Sequence, residues 1–149
     1  MESRVQQMLR ERRETAALAE TEDRLGELRG GGALLADAVP AWVGRSVGRS
    51  RSICTEPYDR LPDDTPPAQL DTWIEELLIA QGVTGRVLVA SHLGILPWLE
   101  CRLPARGWMA RVREAIEEPW MFLSQTLDAL VIVSESEYFY EAHLSRDAS

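Results

Sequence analysis

The chain has 149 residues, 45% of them hydrophobic, and its 24 acidic against 16 basic residues give a formal net charge of −8. A chain of this length buries about two thirds of its unfolded surface in one core and needs no cross-link to do so. The acidic balance argues against a nucleic-acid partner, which requires a basic face, and no apolar run reaches the roughly 20 residues of a membrane span.

Residues 3 to 29 combine strong helix formers with mixed charges and an untidy apolar set, Val5, Met8, Leu9, Leu18, Leu25 and Leu28, so a surface helix is predicted that stops at Gly30-Gly31-Gly32. In "ALLADAVPAWV" the apolar spacing is helical, but Pro40 removes a backbone donor, so a short or broken helix is expected. The alternation of arginine and serine from Arg49 to Thr55 suggests a strand, and "EPYDRLPDDTPP" reads as a loop. The next helix has a cap at Thr65, prolines in its first turn, a face of Leu70, Trp73, Ile74, Leu77 and Leu78, and a stop at Gly82. "GRVLVASH" is a buried strand, and "ILPWLECRL" is a second that Pro97 pushes to an edge or bulge. A further helix from about Pro104 sets Trp108, Met109, Val112 and Ile116 on one face before Pro119. "WMFLS", "ALVIV" and "EYFYEAHL" then read as three strands.

If "SESE" joins the last two strands, Val133 faces Tyr138 and Val131 faces Tyr140 on one side, with Ile132 against Phe139 and Leu130 against Glu141 on the other. The aromatics of "EYFYEAHL" are then core, and their apolar side must be covered by helices. Trp73, Ile74, Leu77, Val87, Val89, Trp108, Val112, Val131, Ile132 and Tyr140 are expected to share one core. The expected fold is α+β: amphipathic helices on a mostly antiparallel sheet, ending in a C-terminal β-meander. It forms a single domain over 1–149, in which 1–32 is a helical, peripheral segment and 33–149 is the core.

All sixteen basic residues are arginine, and asparagine is also absent, a bias that points to a high-GC bacterial genome. Without lysine there is no P-loop or Schiff-base chemistry, so "GRSVGRS" reads as a basic linker or edge strand rather than a phosphate loop. Neither C-x-x-C nor H-E-x-x-H spacing occurs, Asp63 and Asp64 lack accompanying ligands, and no metal site or cofactor is expected. Cys54 and Cys101 are expected to stay reduced in the cytoplasm, the location to which an amino terminus without an apolar leader points.

The titratable candidates are few. His92 stands at a strand end where a general base could act, and the sheet could bring Cys101 and His143 together as a thiol and imidazole pair. Arg102, Arg106 and Arg111 gather toward the amino end of the helix from Pro104, against its dipole, and could hold a carboxylate or phosphate there. The exposed acidic turns, Asp63, Asp64, Glu135, Glu137 and Glu141, would attract a basic protein electrostatically.

Trp120, Phe122, the run Leu130 to Val133 and the aromatics Tyr138 to Tyr140 place a tryptophan strand, an apolar strand, a short polar turn and an aromatic strand in succession. This last third of the chain resembles the small immunity-type proteins of bacterial toxin systems, in particular the YxiF-like group. The resemblance implies a non-enzymatic protein that binds and neutralises a cognate toxin, and it carries no catalytic residue over. Two other readings stand beside it: a homodimeric regulatory or scaffold module that pairs with a second copy of itself through the amino-terminal helix, and an enzyme using His92 or the Cys101 and His143 pair.

Overall fold

A computed structural model describes residues 3–52 and 55–147. Ser3 opens α1 (Arg4–Leu25) with a capping box, its hydroxyl accepting the Gln6 amide while the Gln6 side chain accepts the Ser3 amide. Mixed charge along α1 favours a helix without a broad apolar face. Only its carboxyl half reaches the core, through Leu18 and Leu25, and Val5, Met8 and Leu9 remain exposed. The helix stops at Gly26, where φ is 57°, and not at the glycine run, which forms the edge strand β1 (Arg29–Leu34). Glycine is required there by a close approach: a Cβ on Gly30 or Gly32 would lie 2.6 Å from a carboxylate oxygen of Glu100.

After Pro40, which serves as its N-cap, α2 runs from Ala41 to Ser50. It therefore absorbs all of "GRSVGRS" and the first part of the expected Arg49 to Thr55 strand. Trp42, Val43, Ser46 and Val47 recur at helical spacing and face the sheet, and that period prevails over the two-residue alternation of arginine and serine. Ile53 lies outside the described residues. Within the expected loop a short strand appears, β2 (Asp59–Pro62), followed by α3 (Pro67–Gln81), whose N-cap is Pro66 without a side-chain cap from Thr65. Gly82, left-handed at φ 74°, closes α3.

β3 (Gly85–Ala90), β4 (Trp98–Leu103), α4 (Met109–Ala115), β5 (Trp120–Ser124), β6 (Ala129–Glu135) and β7 (Phe139–Arg146) complete the chain. The seven strands form one antiparallel sheet in the order β1-β4-β3-β5-β6-β7-β2, giving an α+β architecture. The segment 1–32 thus ends as an edge strand of the sheet, since β1 pairs with β4.

Both faces of the central strands are covered. On the front, α3, α4 and the end of α1 enclose Val87, Val89, Leu99, Phe122, Val131 and Val133, with Trp108 set edge-on to Phe122 at 5.6 Å. On the back, Trp42 and Val43 of α2 cover Leu88, Trp98, Met121, Leu123, Leu130 and Ile132. Ile132 therefore belongs to a second cluster rather than to the single core expected, and Trp73 and Tyr140 are only partly buried against the first. Burial on both faces accounts for the unbroken apolar run Leu130 to Val133.

The β6–β7 register differs from the expected one. Val133 pairs with Ala142, Val131 with Leu144 and Ile132 with His143, because β6 continues to Glu135 and the turn moves to Ser136–Phe139. The displacement is four residues, an even number, so the residues sharing each face are unchanged.

Candidate functional site

The β6–β7 turn is closed by Ser136, whose amide and hydroxyl both donate to the Phe139 carbonyl, at 2.7 and 3.0 Å. Glu137 and Tyr138 occupy its tip. On the outer side of β7, β2 pairs from Asp59 with Ala142 to Pro62 with Phe139, and the Asp63 amide then donates to the Tyr138 carbonyl at 3.0 Å. This contact sets Asp63 and Asp64 beside the turn. From the other side, the Glu118 carboxylate accepts the Glu135 amide at 3.0 Å. Burial, then Glu135, then Asp63 push the Tyr140 phenol above its usual pKa, as expected where two carboxylates approach one hydroxyl.

Among the five acidic candidates, Asp63, Asp64, Glu135 and Glu137 therefore gather at one end of the sheet. Glu141 lies on the back face and is held by Arg60 at 2.9 Å, with that guanidinium also 5.6 Å from the Phe139 ring centre. Two aromatics read as core are exposed instead, Tyr138 at 65% and Phe139 at 38%. The shifted turn puts them at its tip, where no helix covers them. Glu118 was not singled out from the sequence, since nothing local connects it to a turn seventeen residues away.

The arginines do not converge on the helix that follows Pro104. That helix begins only at Met109, and its first amides are taken: the Glu75 carboxylate accepts the N–H groups of Gly107, Trp108 and Met109 at 2.9 to 3.1 Å. The chain itself supplies the anion. Arg106 lies 3.6 Å from Glu76 on the surface, Arg111 packs against Gly26 at the end of α1, and Arg102 sits exposed opposite Arg86 on the back face. Arg113, in the last turn of α4 where the dipole favours a cation, makes a bidentate pair with Asp71 of α3 at 3.0 Å.

Cys101 and His143 face opposite sides of the sheet, on β4 and β7, with β3, β5 and β6 between them. Cys101 is a free thiol with no exposure, and burial pushes it up to about 12, so it holds its proton. Cys54 lies outside the described residues. His143 is 7% exposed on the back face, and that burial lowers its pKa. His92, at φ 64°, directs Nε2 toward the carbonyls of Glu117 and Pro119 at 3.1 and 2.8 Å. Carbonyls only accept, so Nε2 carries the proton and the ring clasps the β3–β4 loop to the turn before β5.

Among the described residues, no group of three or more His, Cys, Asp or Glu is placed to hold a metal ion, and no helix is long and apolar enough to cross a membrane. No protein-family model, curated protein or solved structure matches the chain.

Proposed function

We propose that this chain is a protein-binding domain, an inhibitor of the immunity or antitoxin kind, that receives a basic partner at the turn-bearing end of its sheet. One observation carries the reading: Asp63, Asp64, Glu118, Glu135 and Glu137 lie on segments that meet at the turn exposing Tyr138 and Phe139. Aromatic side chains supply most of the energy at the centre of protein interfaces, and charges at the rim set orientation and encounter rate. A net charge of −8 extends the same field over the molecule.

A photo-crosslinking residue at position 138 should trap a positively charged protein in the producing cells, and the same probe at position 45 on α2 should not. Association with that protein should slow, and lose salt dependence, when Glu135 and Glu137 are replaced by glutamine. A partner whose association ignores both salt and these substitutions would overturn the proposal.

A second reading, pairing with another copy of the chain, draws on Val5, Met8 and Leu9, three apolar residues 46 to 66% exposed on one side of α1. Light scattering separates the two: a dimer that dissociates in Met8→Glu supports this second reading, and a monomer at all concentrations removes it.

A further inference from the structure

β2 pairs with only the first half of β7, ending opposite Ala142, so among the described residues no strand lies outside 143–146. Between that stretch, the last turns of α2 and the segment 55–58 lies a cleft of about 470 Å³. Polar groups in its lining come from three separate elements: Ser46 and Arg49 of α2, Thr55, Glu56 and Tyr58 of the connecting segment, and His143 of β7. Two of these side chains are more than nine-tenths buried, Ser46 at 2% exposure and His143 at 7%. A buried polar group normally has a partner. Ser46 has one, since its hydroxyl oxygen accepts from Arg49 Nη2 at 3.1 Å, which leaves its own proton available to donate. No hydrogen bond joins the His143 ring to any described residue, and the ring lines the cleft.

We propose that this cleft binds a small molecule through an oxyanion, a carboxylate or a phosphate, held by Arg49, Ser46 and His143. Its size falls within the range of small-ligand sites. Its polar groups are mostly donors: a guanidinium, an imidazole N–H and the hydroxyls of Ser46, Thr55 and Tyr58 all suit an acceptor-rich ligand. Glu56, the one carboxylate in the lining, is exposed and is placed to receive a hydroxyl or ammonium group elsewhere on the same ligand. The cleft lies toward the end of β7 remote from the Ser136–Phe139 turn, so ligand binding and partner binding are separable properties.

The chain contains two histidines, and the imidazole carbon-bound protons of His143 and His92 can be followed together by NMR. Titration with inorganic phosphate, and separately with malonate, should shift the His143 signals saturably and leave those of His92 in place. Whichever probe saturates names the oxyanion. Arg49 is exposed, so Arg49→Gln should keep the native spectrum while weakening the bound anion about tenfold, the effect of one charge-assisted hydrogen bond. The proposal is overturned if neither anion saturates, if both histidines shift alike, or if Arg49→Gln binds as tightly as the parent.

Discussion

Glu75 is 5% exposed, and its carboxylate accepts three successive backbone amides that would otherwise be stranded at the start of α4. Removing it leaves buried donors without partners, which costs more than the hydrogen bonds themselves contribute. Glu75→Ala should therefore lower unfolding free energy by about 2–4 kcal/mol in urea titrations, against at most about 1 kcal/mol for breaking the partly exposed Asp71–Arg113 pair. Tryptophan provides a second comparison. Trp120 Nε1 donates to the Ile116 carbonyl at 2.9 Å, but Trp42 Nε1 is buried without a partner among the described residues. Replacement by phenylalanine removes a similar volume at each site, so Trp120→Phe should cost about 1 kcal/mol more than Trp42→Phe, the worth of one satisfied hydrogen bond. Equal losses would show that the Trp42 indole finds a partner in solution.

β1 presents a different balance, because its glycines give up conformational entropy to let Glu100 lie flat against the strand. At Gly32 an added methyl would meet not only the Glu100 carboxylate oxygen at 2.6 Å but also its Cβ at 3.3 Å, an atom that side-chain rotation cannot move away. Gly32→Ala should cost about 1 kcal/mol in the parent chain. In a Glu100→Ala background the 2.6 Å carboxylate clash is gone and only the Cβ contact at 3.3 Å remains, so the same change should approach neutral, the residual contact being offset by about 0.4–1 kcal/mol from the less flexible unfolded chain. A double-mutant cycle reads this coupling directly. α4 depends on tertiary contact in a similar way: seven residues are too few for an independent helix, and it is held by Glu75 below and by Trp108, Met109 and Val112 packed into the front cluster.

The molecule as a whole should lose stability in acid in two steps. Burial holds the folded-state pKa of His143 below its ordinary 6.5, partly opposed by the Glu141 carboxylate on the same strand. Below that value the unfolded chain takes up a proton that the fold resists, so this contribution is complete above 6.5 and is lost as pH falls through the depressed folded value. Asp128, lowered by hydrogen bonds from Thr126 and Ser124, acts in the same direction within the carboxylate range, at lower pH. Denaturation midpoints followed against pH should show the upper step disappear in His143→Gln while the lower one remains. The groups around His143, Arg49, Glu56, Tyr58 and the Arg60–Glu141 pair, are unchanged in that variant.

α3 and the strands β3, β5, β6 and β7 were legible because each repeats its own period over enough residues to identify a buried face, and proline and glycine mark their ends. Even the misplaced β6–β7 register preserved the two faces, since side chains alternate with a period of two and the slip was even. β1 and β2 left no such trace: one is largely glycine, the other is four residues ending in Pro62, and both take their extended form from the hydrogen bonds of a neighbouring strand. The candidate sites follow the same division. Charge and the acidic residue types could be read from composition, whereas their meeting around Tyr138 required β2 to pair outside β7, and the burial of His143 required α2 to cross behind the sheet. Local periodicity reports which residues seek the interior; which surface groups become neighbours is decided by strand pairings between segments more than eighty residues apart, as for Asp59 and Ala142.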